Sequence, residues 1–263
     1  MIFNMRAYGR LTRLEATAPV SGGVLYFLGG YFVRFARTLL LLSIWRTIFS
    51  TAGNPEELDA VLRYTMLAAI FWQQVDVRTT ASTTYWEGNA ASRFLRPLNI
   101  FGQYIAETVG KWIPGLLLSG LPLVLLTPML RVDLRPADSA TLLAFVFSLV
   151  LGMACGFAMD FILAGVMVFL GNAHYIAHQI RAAFMLLLSG ALIPLHLLPF
   201  GIGGVLEWLP FATMASAPLS IYAGTAGDVA RILLLQLGWG VILWILAVFT
   251  WRKNRQKLVV FGG

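Results

Sequence analysis

Charged residues are scarce in this chain, and their scarcity excludes an ordinary water-soluble domain. They make up 12% of 263 residues, against about 25% in average soluble domains. Hydrophobic residues make up 59% of the chain, and the mean hydropathy is +0.78. Because a helix needs about 20 apolar residues to cross a bilayer, this composition predicts an all-α integral membrane protein with about six transmembrane helices.

Motifs of common enzymes are also absent. The one cysteine, Cys155, lies in an apolar run, which excludes a disulfide framework. A phosphate-binding loop needs a glycine, four residues, Gly-Lys and then Ser or Thr, whereas Gly110-Lys111 is followed by Trp112 and lacks the first glycine. No His-Glu-x-x-His or Gly-x-Ser-x-Gly motif occurs. We therefore expect no catalytic residue, no metal and no cofactor on this chain.

The apolar runs that are present predict one transmembrane domain over residues 1–263. Residues 1–32 begin with arginines at helical spacing, which predicts an amphipathic helix at the cytoplasmic membrane interface. Residues 252–263 form a basic tail. Within the membrane domain, residues 33–251, the predicted spans lie at about 33–50, 58–77, 100–126, 139–171, 182–195 and 229–251.

Two breaks between apolar runs have a recognisable local chemistry. Asn54 is predicted to cap the helix that begins at Pro55, because its side chain accepts a backbone N–H and proline suits the first helical position. Residues 194–226 are apolar but rich in proline and glycine. Irregular backbone at membrane depth must be buried in protein or line a wet cavity. This segment therefore predicts short re-entrant helices at the outer leaflet before the sixth span.

The basic residues lie mostly at the predicted inner ends of the spans. Lys and Arg are enriched on the cytoplasmic side of membrane proteins, so both termini are predicted to be cytoplasmic in a plasma (inner) membrane. The net charge of +7 then reflects orientation and does not predict nucleic-acid binding. The inner set is Arg6, Arg10, Arg13, Arg34, Arg37, Arg78, Arg93, Arg96, Arg181, Arg252, Lys253, Arg255 and Lys257, against chiefly Arg46, Arg63, Arg131, Arg135 and Arg231 outside.

Three ionisable residues beside or inside apolar runs are candidates for a transport pathway, namely Glu107, Lys111 and Asp160. Glu107 and Lys111 are four residues apart and share one helical face, which predicts an ion pair between them. Asp160 is either such a functional residue or the inner end of the fourth helix, exposed to cytoplasmic water. That helix is either long and tilted or broken near Asp160.

Two histidines one helical turn apart, His174 and His178, could share a metal ion. Two ligands are too few for a structural zinc site, which usually has four. We therefore favour histidines that lie near the lipid headgroups.

Residues 82–111 form a polar and basic island between apolar runs, and we expect a soluble partner to dock there. Within it, the run Arg93-Phe94-Leu95-Arg96-Pro97-Leu98-Asn99 resembles the signature of the ABC-2 type transporter permeases, a six-span family. The late runs 188–195 and 209–211, Gln236 with Trp239, and the C-terminal Gly262-Gly263 are similar to the same family. The resemblance extends from about Trp45 to Gly263.

This resemblance implies a transmembrane subunit of an ABC exporter that moves a lipophilic or amphipathic compound. Its partners would be two copies of a separate ATP-binding subunit, which holds ATP and Mg²⁺, a second identical or homologous permease, and membrane lipid. Gly152 and Gly156, a small-xxx-small pair, are candidates for the seam between permeases. Residues 82–99 would form a cytoplasmic coupling helix between spans 2 and 3. The expected ATPase contacts are Tyr85, Trp86, Glu87, Arg93, Phe94, Leu95, Arg96, Pro97 and Leu98.

Two other function classes remain open at this point. A proton-coupled secondary transporter could use Asp160 and Glu107, although inverted repeats are common in such folds and residues 24–126 and 139–251 show no convincing match. A membrane scaffold without transport activity is the other.

Overall fold

The computed structural model describes residues 5–17, 24–87, 90–170 and 174–260. Within these ranges the protein is all-helical and has no strand. The α-helices are α1 (Met5–Thr17), α2 (Val24–Ala52), α3 (Pro55–Ile70), α4 (Trp72–Val75), α5 (Ala81–Trp86), α6 (Ala90–Phe94), α7 (Ile100–Gly115), α8 (Leu121–Leu126), α9 (Ser139–Leu170), α10 (His174–Leu188), α11 (Ile202–Leu206), α12 (Pro210–Met214), α13 (Ser216–Ala223) and α14 (Val229–Val260).

Three stretches of the described chain are helical, long and apolar enough to cross a membrane: Ile100–Leu126, Ser139–Met167 and Val229–Lys253. They coincide with the predicted third, fourth and sixth spans. The all-helical class is thus confirmed, whereas the count of six spans stays a prediction. Ile176–Leu188 is a shorter apolar helix, and α2 and α3 carry charged side chains within their length.

The first two predicted spans differ in their bounds from the helices of the structure. The helix α2 runs without a break through Arg34 and Arg37, so it begins well before residue 33. The predicted second span divides at Phe71 into α3 and the single turn α4. The predicted cap between α2 and α3 is confirmed, because Asn54 Oδ1 accepts a hydrogen bond from the backbone N–H of Glu57 at 3.4 Å.

The third apolar stretch changes its helical pattern between its two prolines. Pro114 lies inside α7 and Pro122 at the start of α8, and the residues between them, Leu116–Gly120, form a π-helical turn. A proline removes a backbone donor and crowds the preceding turn, which accounts for an irregular turn at this place.

The helix α9 is continuous from Ser139 to Leu170, which answers whether it breaks at Asp160. Before its first residue, the carboxylate of Asp138 accepts a hydrogen bond from the backbone N–H of Thr141 at 2.6 Å. Hydrogen bonds from Thr141, from its side chain first and its backbone second, hold the pKa of the exposed Asp138 below its ordinary value. Such a capping carboxylate suits the positive end of a helix.

The core of the fold is built around α9 and α14. Gln236 of α14 is fully buried and joins three elements. Its side-chain oxygen accepts a hydrogen bond from Ser148 Oγ of α9 at 2.8 Å, and its amide donates to the carbonyl of Thr213 of α12 at 2.7 Å. Short helices, including α11, α12 and α13, occupy the predicted re-entrant segment. Residues 212–219, which belong mostly to α12 and α13, are buried. The more irregular part before them is largely exposed, with Phe200 at 96% and Val205 at 68%, and the re-entrant course of the segment stays a prediction.

The N-terminal helix α1 packs along α7. Thr12 Oγ1 donates a hydrogen bond to the carbonyl of Ala106 at 3.1 Å, and the hydroxyl of Tyr8 accepts one from the backbone N–H of Asn99 at 3.0 Å. The amphipathic sequence of α1 predicts a helix at the membrane interface, and the structure gives it a protein neighbour as well.

The close approach of α1 to α7 depends on Gly110, since a Cβ at this position would overlap the carbonyl oxygen of Thr12. We expect Gly110→Leu to displace α1 and to raise amide hydrogen exchange in residues 5–17 at least about tenfold, as local opening allows. Gly9→Ala is the matched control, because a Cβ there meets nothing within 4 Å. Unchanged exchange in Gly110→Leu would contradict this packing.

Candidate functional site

The predicted coupling segment, residues 82–99, does not form one helix. It contains the end of α5 (Ala81–Trp86), then α6 (Ala90–Phe94), and a turn that leads to the cap of α7 at Asn99. The residues between the two helices, Gly88 and Asn89, have low helix propensity and lie outside the described residues. The backbones of Tyr85 and Trp86 end α5, and their side chains are outside the described part.

Exposure divides the residues that were predicted to contact an ATPase. Leu95 is 86% exposed, and Arg96, Pro97 and Glu87 are exposed as well. Phe94, by contrast, is half-buried and packs against the core that α9 and α14 share. Arg93 and Leu98 are also half-buried. The tip of the segment that a soluble partner can reach is therefore Leu95–Pro97.

One buried carboxylate on α7 holds this tip. Glu107 is 5% exposed and forms ion pairs with Arg93 and with Arg96, the latter at 3.8 Å. Its neighbour one turn earlier, Gln103, donates hydrogen bonds from its side-chain amide to the carbonyls of Arg93 and Leu98, each at 3.2 Å. Residues four apart share one face of a helix, so a single face of α7 fastens the turn from both ends.

The predicted ion pair between Glu107 and Lys111 is replaced by other partners. Lys111 is exposed and its ammonium lies 3.7 Å from a carboxylate oxygen of Glu15 on α1. A pair between Glu107 and Lys111 would also satisfy both charges. Tertiary packing favours the observed partners, because α1 lies against α7 and the turn at Arg93 folds back over Glu107. Sequence spacing gave no sign of either long-range partner.

A second cluster of charges is buried between α9, α10 and the chain that joins α4 to α5. Asp160 is 2% exposed, so its predicted alternative as a residue open to cytoplasmic water is wrong. Its carboxylate accepts hydrogen bonds from the N–H and the hydroxyl of Thr79, at 2.9 and 2.6 Å. Arg181 of α10 lies 3.6 Å from Asp160 and 3.5 Å from Asp76.

Arg181 is a buried partner in this cluster, although its sequence position predicts only a basic residue at the inner end of a span. It is buried, pairs with two carboxylates and donates a hydrogen bond to the carbonyl of Val77. Asp160 lies inside an apolar run, which indicates that it has a buried partner, whereas Arg181 stands just before the next apolar run. Their order in the sequence does not reveal which base meets which acid.

The coupling segment also contacts α10 directly. Ser82 Oγ lies 2.9 Å from Nε2 of His178. The side chain of His174 is outside the described residues, so the pair is not seen together. Across the part of the chain that the structure describes, no three histidine, cysteine or acidic side chains come together as metal ligands.

The predicted seam glycines make their close contacts within one chain. A Cβ on Gly152 would lie 3.0 Å from the carbonyl oxygen of Thr213, and one on Gly156 would lie 2.6 Å from Val77. The small residues therefore let α9 approach α12 and the α4–α5 connection. A second permease stays a prediction, and these two buried positions face other parts of their own chain.

Comparison with known proteins gives a match over most of the chain. The profile of the family described as ABC-2 family transporter protein matches residues 65–262. No curated protein matches the chain. The matched region contains the coupling segment, Glu107, Asp160 and Arg181, and it leaves out α1 and α2.

Proposed function

Because this chain belongs to the ABC-2 transporter family, we propose that it is the permease subunit of an ATP-driven exporter for a lipophilic or amphipathic compound. It is an integral membrane transport protein with helices that can span a bilayer. The sequence contains no phosphate-binding loop of the Gly-Lys-Ser/Thr kind, which supports a separate subunit that binds ATP and Mg²⁺.

The exposed tip Leu95–Pro97, held on buried Glu107, is the observation that carries this proposal. A partner that presses on the tip moves Arg93 and Arg96. Their ion pairs and the amide of Gln103 transmit that displacement to α7, which leads into the apolar stretch Ile100–Leu126. Switching transitions of this kind move rigid helices between discrete arrangements.

The proposed assembly contains two ATP-binding subunits and a second permease, identical or homologous, in the inner membrane with both termini in the cytoplasm. The last predicted span supports a second permease, because 17% of its most apolar stretch is buried within the chain. The exposed side chains Leu234, Val241 and Ile245 leave an apolar surface for lipid or for another subunit. The distribution of basic residues supports the orientation.

A proton-coupled mechanism would need carboxylates that are free to gain and lose a proton. Asp160 and Glu107 already lie in ion pairs with Arg181 and with Arg93 and Arg96. These ion pairs support a positioning role for both groups. Transport by the chain alone in liposomes under a pH gradient would contradict the ATP-driven proposal.

Co-purification from native membranes tests the proposal. The tagged full chain should bring down an ATP-binding subunit in stoichiometric amount, identified by mass spectrometry. Arg96→Glu combined with Leu95→Ala should lower its yield at least about tenfold, which corresponds to about 1.4 kcal/mol of binding free energy. Arg252→Glu is the matched control, since Arg252 is equally exposed and lies at the predicted inner end of α14. Equal losses in both variants would argue against a specific tip contact.

A further inference from the structure

A cavity of about 390 Å³ lies between α2, the α3–α4 pair and α10, away from the coupling tip. This volume lies within the range of about 300–1,000 Å³ that is usual for small-molecule sites. None of the residues that are expected to contact an ATPase lines the cavity, and neither does any other residue of the coupling segment. Arg78, which precedes α5, does line it. Asp76, which pairs with Arg181, also lines the cavity, so the cavity adjoins the buried charge cluster and lies apart from the coupling tip.

The two ends of this cavity differ in chemistry. Arg34, Arg37 and Arg78 lie at one end, where the guanidinium of Arg34 covers the ring of Trp72. At the other end α2 contributes Leu41, which is seven residues beyond Arg34, or about 10 Å along a helix. The walls there are mostly apolar, with Thr65 and Ser189 among them, so the cavity has a cationic end and a mostly apolar end.

The cationic end carries more positive charge than the protein neutralises. Asp76 pairs with Arg78 at 2.6 Å and with Arg181 at 3.5 Å, so its charge is already shared. Among the described residues no carboxylate forms an ion pair with Arg34 or Arg37. Nη1 of Arg34 is buried and has no hydrogen-bond partner. A buried donor without a partner is costly, and an anionic group would satisfy it.

We propose that this cavity binds an anionic amphiphile, with its phosphate or carboxylate between Arg34, Arg37 and Arg78 and its hydrocarbon chain along Leu41 and Leu192. Guanidinium groups bind such anions through paired, charge-assisted hydrogen bonds. Basic pockets between transmembrane helices on the cytoplasmic side suit anionic lipid headgroups, and that is where the charge distribution places these arginines. The binding is independent of the proposed transport activity.

Native mass spectrometry of the delipidated full chain tests this site, with three probes: phosphatidylglycerol, phosphatidylcholine and glycerol phosphate. We expect phosphatidylglycerol to bind at least about tenfold more tightly than either of the others. The double variant Arg34→Gln with Arg37→Gln should bind phosphatidylglycerol at least about tenfold more weakly than the wild type. The matched control, Arg252→Gln with Lys253→Gln, removes two exposed charges elsewhere and should leave it unchanged.

A second variant tests the apolar end without touching the arginines. Ala69 lines the cavity, and Ala69→Phe should fill the space for the chain and weaken phosphatidylglycerol binding while binding of glycerol phosphate stays the same. This variant also decides the matter if the double arginine variant does not fold. Equal affinity for glycerol phosphate and phosphatidylglycerol would overturn the proposal in favour of a free-anion site. Equal losses in the control would overturn it in favour of general surface attraction.

Discussion

Asp160→Ala is expected to lower the free energy of unfolding by about 3 kcal/mol, at the lower end of the range for a buried pair that loses one partner. Arg181 would keep Asp76 but lose Asp160, and both donors of Thr79 would lose their acceptor. The measurement is thermal unfolding of the full chain in detergent, where we expect Tm to fall by about 10 °C.

Two further variants separate this structural role from a transport role. Asp138→Ala removes an exposed carboxylate that caps the same helix, and its effect on Tm should be much smaller. Asp160→Ala with Arg181→Met removes both charges of the pair and should restore part of the stability, since apolar replacement of a whole buried pair is often neutral. The donors of Thr79 would still lack their acceptor, and Asp76 would keep Arg78. A wild-type Tm for Asp160→Ala would contradict the structural role of this ion pair.

The ionic contacts place the coupling segment at the junction of four helices. Before α5, Thr79 bonds to Asp160 of α9, and within α5 Ser82 contacts His178 of α10. At its other end the segment is bound to Glu107 of α7, and α6 packs near α14. A force at the exposed tip therefore reaches α7 first, while α9 and α10 anchor the start of the segment.

Local chemistry was predictable from the sequence, and distant partners were not. The cap at Asn54 involves only residues within one helical turn, so the sequence predicts it correctly. Glu107 has a basic residue four positions later, which is the pairing that helical spacing predicts. The observed partners, Arg93 and Arg96, are reached through a turn whose course depends on the packing of Phe94 and on the amide of Gln103. No repeating sequence pattern predicts those tertiary contacts.

Asp160 illustrates the same limit inside the membrane domain. An ionisable residue in an apolar run is recognisable because its burial is costly, so the position was identified. Its partners Thr79 and Arg181 belong to other helices or connections. The continuity of α9 through Asp160 is explained by those partners, since they satisfy the carboxylate without a break in the helix. The cavity lined by Arg34 and Arg37 likewise exists only when α2, α3 and α10 come together.

Glu107→Gln is expected to release the tip of the coupling segment although it changes no exposed residue. The substitution keeps the size of the side chain but removes the charge that binds Arg93 and Arg96. Hydrogen bonds to charged groups contribute about 1.5–3 kcal/mol each, so opening of the turn should become at least about tenfold more frequent. Limited trypsin digestion measures this as faster cleavage after Arg93, whereas Arg96 is protected by the proline that follows it.

Lys111→Gln is the matched control for this prediction, because Lys111 lies one turn further along α7 and its ion pair with Glu15 is largely exposed. Exposed pairs contribute about 0–1 kcal/mol, so cleavage after Arg93 should stay at the wild-type rate. Digestion reports on the permease alone and does not depend on an ATPase being bound. If Glu107→Gln left the cleavage rate unchanged, the buried carboxylate would not hold the tip, and force on Leu95–Pro97 would have to reach the membrane helices through the packing of Phe94 instead.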